Sequence, residues 1–298
     1  LDWRTRTFLE SSGTIWRTSY YGFIQGEIKT YYPLVVKNCS EIVNKRIKPI
    51  FLTFESAQFL VSKVIEWHRA NRGIFSGVVS YTDRIAIDIT ANLVKASTSD
   101  IPYNEIGDRL YSSLELKDEL KKQMYDEADD ILAAYRKRCM ELGIFDFGMA
   151  VDIYNNCLLK DDTYIKQVFN RVEHLIVDNI EECVPTEIDF IEFLRPNIKT
   201  CLLGYNYEGG YGEIFGSNHN YVKQKIKGNY DIININRSYT CTESMYEFSE
   251  MLFENVIGEG KVSRENYSVD TKYNGIKQAV ERHSAVELRS DMLERVGE

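Results

Sequence analysis

The spacing of apolar residues near the start of the chain predicts alternating strands and helices. IWRTSYYGFIQG (15–26) predicts a short strand entering a turn, and PIFLTF (49–54) and GIFSGVVSYT (73–82) predict two more strands. Between the first two, apolar residues recur at helical steps of three and four, at Leu34, Val35, Cys39, Ile42 and Val43. This β-α-β-α-β order predicts a parallel sheet with right-handed crossovers.

Helical patterns fill the rest of the first half of the chain. SAQFLVSKVIEWHRAN (56–71) has Ser56 as a candidate N-cap. Its spacing places five side chains on one side of the helix: Phe59, Leu60, Lys63, Val64 and Trp67. Residues 83–170 are mostly helical, with interleaved charges of both signs and Gly143 as a candidate C-cap. We interpret 83–170 as a helical insertion between sheet strands.

Strand patterns return after this insertion. HLIVD (174–178) is an apolar run that ends in a carboxylate, as a buried parallel strand does, and IKTCLLGY (198–205) and YDIININRS (230–238) predict further strands. TEIDFIEFLRP (186–196) predicts a helix that stops at Pro196. TCTESMYEFSEMLFENVI (240–257) predicts another, capped by Thr240 or Thr242.

Composition narrows the class of protein. The chain has 298 residues, of which 44% are apolar and 27% charged, typical of two α/β lobes or of one lobe with large insertions. It lacks an apolar run of 18 residues and a secretory pattern, so we expect a cytoplasmic protein without a membrane span. The net charge of −9 argues against a dedicated nucleic-acid binder, since neutralising phosphates supplies much of such affinity.

GFIQGEIKT (22–30) occupies the place of a phosphate-binding loop, after a predicted strand and before a predicted helix. Such a loop needs glycine for close backbone approach, lysine for the phosphate charge and a hydroxyl for magnesium, which Gly26, Lys29 and Thr30 could supply. Two neighbours depart from this chemistry. Ile28 carries a Cβ where glycine is usual, and Glu27 adds a negative charge.

Asp178, at the end of HLIVD, is the candidate magnesium ligand, and a capping aspartate is the alternative interpretation. Nucleotide hydrolases usually place a glutamate next to this aspartate to position the attacking water. Here the next residue is Asn179, which cannot act as a base. Glu181 and Glu182 are the carboxylates that could replace it.

Six segments in this order resemble superfamily 1 DNA helicases of the UvrD/Rep type. FIQGEIKT resembles the AGAGSGKT motif, and VDNIEE fits the frame of VDEXQD. Thr53–Glu55 is similar to a TFT-type strand end, and Asp146–Met149 to a DFDDLL segment. Gly204–Ser217 resembles GDXXQXIYXFRGA, and Ile235–Ser238 resembles an NYRS segment.

The resemblance implies an α/β, RecA-like fold of the P-loop NTPase type. Residues 1–82 and 171–228 would form the first ATPase lobe, 83–170 a helical insertion subdomain, and 229–298 the start of a second lobe with a C-terminal segment. ATP and Mg²⁺ are the implied cofactors, and single-stranded or partly duplex DNA is the implied partner.

Family roles transfer to individual residues through the same motifs. Gly26, Lys29, Thr30 and Glu208 would bind nucleotide, Thr30 and Asp178 would hold the metal, and Asp178, Glu181 and Arg237 would serve catalysis. Several phosphate ligands are replaced by carboxylates or lost, and added negative charge weakens triphosphate binding. Two hypotheses follow from the resemblance: a helicase-related protein that binds ATP and DNA with weak or lost hydrolysis, or an inactive helicase-like fold that serves as a structural or protein-interaction module. A third hypothesis is an unrelated α/β enzyme whose strand ends mimic these motifs.

Overall fold

A computed structural model provides the structure of this protein. It describes residues 15–43, 48–206, 209, 212, 216–234, 237–238, 244–245, 247–249, 251–252 and 268–269. The chain divides into two compact units, Leu1–Lys227 and Gly228–Glu298. The predicted start of a second lobe at residue 229 falls beside this division, and the lobes themselves stay a prediction.

The first helix replaces the strand and turn predicted at 15–26. Helix α1 spans Tyr20–Thr30, and the Ser19 side chain caps it by accepting a hydrogen bond from the Gly22 amide. Its buried positions, Phe23, Ile24, Glu27 and Ile28, recur at helical steps. The strand prediction was wrong because this burial period outweighs the local preference of aromatic residues for strands.

The remaining elements of the first unit are mostly helices, with very short strands between some of them. They are α2 (Tyr32–Asn38), β1 (Ile50–Phe51), α3 (Phe54–Arg72), α4 (Thr82–Thr98), α5 (Ile106–Ser112), α6 (Glu119–Leu142), β2 (Ile144–Phe145), α7 (Phe147–Ile153), α8 (Asp162–Arg171), β3 (His174–Val177), α9 (Pro185–Leu194), β4 (Thr200–Leu203) and α10 (His219–Ile226). A π-helical turn, Tyr154–Leu158, continues α7. Gly143 ends α6 in the left-handed conformation with φ of 67°, which confirms the predicted C-cap.

The described strands form parallel pairs. β1 pairs with β2 in the register Ile50 to Ile144, and β3 pairs with β4 in the register His174 to Thr200. The strands predicted at 174–178 and 198–205 are therefore confirmed as parallel neighbours. β2 lies inside the segment predicted to be a helical insertion, so that segment also contributes to a sheet. The larger RecA-like sheet stays a prediction.

The main apolar core joins helices from α1 to α9. Among its fully buried side chains are Ile24, Ile28, Tyr135, Phe145, Tyr154 and Tyr164. A smaller cluster, which includes Ile180, Ile188 and Val222, lies between α9, α10 and the β3–β4 pair. The predicted insertion is thus packed into the same core as the segments on either side of it.

The predicted apolar side of α3 is confirmed only for Leu60 and Val64, which are partly buried against the core. The helix buries Ala57, Val61 and Ile65, whereas Phe59 and Trp67 are 59% and 58% exposed. The buried side of the helix consists of smaller side chains that recur at helical spacing and face the core. The large aromatic side chains therefore do not determine which side of the helix is buried. The cap also differs, because Thr53 rather than Ser56 accepts the capping bond, from the Ser56 amide at 3.3 Å.

Residues 73–82 form a connection and not the predicted strand. Gly73 ends α3 in the left-handed conformation, and Phe75 also has a positive φ, of 54°. The Phe75 amide donates to the Glu127 carboxylate at 2.7 Å, so a side chain takes the place of a strand partner.

The second unit contains one described parallel pair. β5 (Arg237–Ser238) pairs with β6 (Ser268–Val269). Residues 230–234 lie outside any strand, whereas 237–238, at the end of the predicted strand at 230–238, are described as a strand. Helical residues at 244–245, 247–249 and 251–252 lie within the helix predicted at 240–257, and its candidate caps Thr240 and Thr242 lie outside the described residues.

Candidate functional site

The residues predicted to bind phosphate lie inside a helix. Gly26, Lys29 and Thr30 belong to the second half of α1 and not to a loop between a strand and a helix. Amide groups inside a helix donate to the carbonyl four residues earlier, so they are not free to surround a phosphate. The Lys29 ammonium lies over the Phe51 ring, 5.2 Å from its centroid. Thr30 is exposed at the end of the helix.

Glu27 is the centre of a buried polar network. Its side chain is 2% exposed and forms an ion pair with Arg171 of α8, in which Arg171 Nη1 donates to Oε1 at 3.1 Å. The Tyr164 hydroxyl donates to Glu27 Oε2 at 2.7 Å and lies 3.1 Å from the Tyr154 hydroxyl. A buried carboxylate requires such partners. The charge predicted to oppose phosphate is thus neutralised inside the protein.

Asp178 lies at the exposed end of β3, where the sequence predicted a metal ligand. Its Oδ1 accepts a bond from the Asn179 amide at 3.1 Å, and Asn179 adopts a left-handed conformation with φ of 53°. Gly204, after β4, lies beside it, since a Cβ at Gly204 would come within 2.9 Å of Asp178 Oδ1. Within the described residues, no hydrogen bond or ion pair joins Asp178 to Lys29 or Thr30.

Glu181 and Glu182 hold the glycine-rich segment that follows β4. The Glu181 carboxylate is buried and accepts from the Asn206 amide at 2.9 Å. Glu182 accepts from the Gly212 amide at 2.8 Å. A Cβ at Gly209 would lie 2.7 Å from Glu181, so glycine permits this close approach. These contacts assign both glutamates a loop-anchoring role, which sequence reasoning had not considered.

The other two predicted site residues are described only in part or not at all. Arg237 lies in β5, where its backbone position is described. Glu208 lies outside the described residues.

A cavity of about 360 Å³ lies where β1 and β2 end. Two motif-like segments meet there, Thr53–Glu55 after β1 and Asp146–Phe147 after β2, and Tyr21 and Gln25 of α1 and Thr90 and Val94 of α4 complete its lining. Ligands of α/β proteins often bind where parallel strands end, and pockets of about 300–1,000 Å³ hold small ligands. We name this cavity the strand-end pocket. Both segments stood out in the sequence, but only the tertiary contact of β1 with β2 brings them together.

The floor of the strand-end pocket is polar, but its polar groups already form hydrogen bonds within the chain. Asp146 is fully buried, and burial raises the pKa of its carboxyl group. Its two oxygens accept bonds from the Met149 amide and the Tyr135 hydroxyl, each at 2.8 Å. The Thr90 hydroxyl donates to the Ala86 carbonyl at 2.8 Å. Asp146 therefore caps α7 and secures α6, and each of its two oxygens already accepts a hydrogen bond.

The Tyr21 hydroxyl differs from these groups. It is buried at the pocket wall and makes no hydrogen bond of ordinary geometry. Gln25 lies next to it, and burial raises the pKa of the Tyr21 phenol. A buried polar atom without a partner costs free energy, so this hydroxyl favours a guest that can bond to it.

Comparisons with known proteins add no family assignment. No protein-family model matches the chain, and no curated protein matches it significantly. Among the described helices, none has the length and apolar content needed to cross a bilayer. Within the same described residues, no cluster of three or more His, Cys, Asp or Glu side chains is arranged to hold a metal ion.

Proposed function

We propose that this chain is a UvrD/Rep-related protein that has lost both ATP binding and ATP hydrolysis and serves as a protein-interaction module in the cytoplasm. The supporting observation is the position of Glu27. Its carboxylate stands within the segment that resembles a phosphate loop, yet it is buried in α1 and paired with Arg171. To rebuild a loop there, the protein would have to unwind α1 and expose this ion pair. Both changes oppose nucleotide binding.

Titration calorimetry with ATP–Mg²⁺ tests this proposal. We expect no measurable heat of binding for the wild type and for Lys29→Ala. Lys95→Ala, which removes an exposed lysine from α4, is the matched control for lost positive charge. Binding by the wild type and by Lys95→Ala, but not by Lys29→Ala, would refute the proposal.

Asp178 favours a second candidate function, in which the protein keeps ATP–Mg²⁺ and DNA binding without efficient hydrolysis. This carboxylate is exposed at the end of a parallel strand, as a magnesium ligand would be, and Gly204 leaves room beside it. Thr30 would be the second metal ligand, and the partner would be single-stranded or partly duplex DNA in repair or recombination. An ATP–Mg²⁺ melting shift that Asp178→Ala abolishes would support this function, and equal melting curves would exclude it.

A further inference from the structure

The strand-end pocket is open at its mouth, and the polar groups of its floor already form hydrogen bonds within the chain. Phe54 and Glu55 are exposed at its mouth, whereas Ala57, Thr90 and Asp146 are buried at its base. Because the polar groups of Thr90 and Asp146 already bond within the chain, the base offers a guest mainly apolar contact. A guest therefore gains mainly apolar contact at the base of the pocket.

The walls favour a flat aromatic guest. Tyr21 and Phe147 lie with their ring centroids 4.3 Å apart, and Phe54 stacks on Phe147 at 6.0 Å with an interplanar angle of 21°. Phe147 thus contacts both of the other rings, and all three residues line the pocket. Aromatic rings gain energy from further stacked or edge contacts in addition to the area that they bury. A guest ring could make such contacts with these side chains.

The Tyr21 hydroxyl restricts the guest further. It is buried beside the Gln25 side chain without a hydrogen bond of ordinary geometry, so a guest ring that carries one polar atom can offer it a better partner. Tryptophan and tyrosine side chains have this form, and they are enriched where one end of a side chain is buried and the other meets a polar group. An indole N–H could donate to the Tyr21 oxygen.

The surface outside the pocket favours a basic protein segment over nucleic acid. Glu55 stands at the mouth, and its own amide and the Thr53 hydroxyl lower the pKa of its carboxyl group, so it is charged at neutral pH. From Glu55, an exposed stripe continues along α3 at steps of four, through Phe59, Lys63 and Trp67. Lys63 is paired with Glu66 at 2.8 Å. A carboxylate at the entrance repels phosphates and attracts a cation.

We propose that the strand-end pocket binds a tryptophan or tyrosine side chain of a protein partner, with a neighbouring lysine or arginine of that partner facing Glu55. The choice of a protein as the ligand rests on the proposed interaction function, whereas the aromatic selectivity rests on the pocket alone.

Peptide titrations followed by amide NMR of the full chain test the proposal. The probe is acetyl-Gly-Trp-Arg-Gly-amide. Three comparison ligands are titrated separately: the same peptide with alanine in place of tryptophan, the same peptide with glutamate in place of arginine, and a fifteen-residue oligothymidylate. We expect the Trp-Arg peptide to shift the amides of Tyr21, Ala57 and Thr90. The alanine peptide should bind at least about tenfold more weakly, because the buried ring supplies most of the affinity.

Three variants assign the contacts. Tyr21→Phe keeps the shape of the wall and should weaken the Trp-Arg peptide about two- to tenfold, the range of one hydrogen bond. Glu55→Gln should weaken it about two- to fivefold, as for an exposed ion pair, and should remove the preference for arginine over glutamate. Glu66→Gln, on the same helix but paired with Lys63, is the matched control and should leave binding unchanged.

Two results would overturn the proposal. One is equal binding of the tryptophan and alanine peptides, or shifts that avoid the pocket residues. The other is oligothymidylate binding that shifts the pocket amides and displaces the peptide, because the pocket would then hold a nucleobase. A positive ATP titration would refute the proposed loss of nucleotide binding but would leave these peptide results standing, so the two failures can be told apart.

Discussion

Removing Arg171 should destabilise the protein far more than removing Lys29. Arg171→Met leaves the Glu27 carboxylate buried without its ion-pair partner, and losing one partner of a buried pair costs about 3–5 kcal/mol. The Arg171 side chain is 39% exposed and Tyr164 still donates to Glu27, so water and this bond recover part of the loss. We therefore expect a loss of about 2–3 kcal/mol in the free energy of unfolding.

Substitutions at the other positions should cost less. Glu27→Gln removes the buried charge and keeps an acceptor for the Tyr164 hydroxyl, while Arg171 can turn towards water, so the cost should be about 1 kcal/mol. The double variant should cost less than the sum of the two single variants, because it removes both charges and leaves no buried carboxylate without its ion-pair partner. Lys29→Ala removes an exposed cation above Phe51, worth about 0.5 kcal/mol.

Urea unfolding followed by tryptophan fluorescence measures these differences. The three tryptophans, Trp3, Trp16 and Trp67, all belong to the unit Leu1–Lys227, so the signal reports on the unit that contains the network. Arg138→Met, at an exposed ion pair of α6, is the matched control and should change stability by less than about 0.5 kcal/mol. If Arg171→Met costs no more than Arg138→Met, then the buried network does not stabilise α1 and the argument from Glu27 fails.

Three further predictions concern single positions. Gly26→Ala should stabilise the chain by up to about 1 kcal/mol, because the position is helical and has open space around it. Gly143→Ala should destabilise the chain by about 1 kcal/mol, because the φ of 67° at Gly143 strains any residue with a Cβ, and urea unfolding compares the two variants. Burial raises the pKa of the Glu187 carboxyl group above its unfolded value, so its contribution to stability is complete at low pH and is lost as the pH rises. Glu187→Gln should therefore gain stability over the wild type between about pH 4 and pH 7, in unfolding curves measured across that range. Tyr21→Phe should leave the melting temperature unchanged or raise it, since the hydroxyl has no partner to lose.

Elements whose local signals agreed were predictable from the sequence. β3 and β4 combine apolar runs with parallel pairing, and the α9 helix ends before Pro196 as predicted. Gly143 marked the end of α6 correctly, since only a residue without a side chain adopts its conformation freely. In each case sequence pattern, backbone preference and burial favour the same structure.

Features that depend on tertiary contacts were not predictable from the sequence. The 15–26 segment carries strand-favouring aromatic residues, yet core contacts of Ile24 and Ile28 stabilise a helix. Glu27 looked like an obstacle to phosphate because its partner, Arg171, lies 144 positions away. The strand-end pocket likewise needs the pairing of β1 with β2, which brings Thr53 and Asp146, far apart in the chain, to the same pocket. Local patterns contain no information about such partners.

The two faces of the β3–β4 pair show where the structure differs from the architecture that the sequence predicts. Parallel strands are ordinarily covered on both faces. Here Leu175, Val177 and Leu203 pack towards the smaller apolar cluster, whereas Ile176 and Leu202, on the other face, are 75% and 59% exposed. The apolar run that predicted a strand buried on both faces thus forms a strand covered on one face. A complete RecA-like lobe would require another layer over Ile176 and Leu202, so the exposure of these two side chains is the measurable difference between that lobe and the described unit.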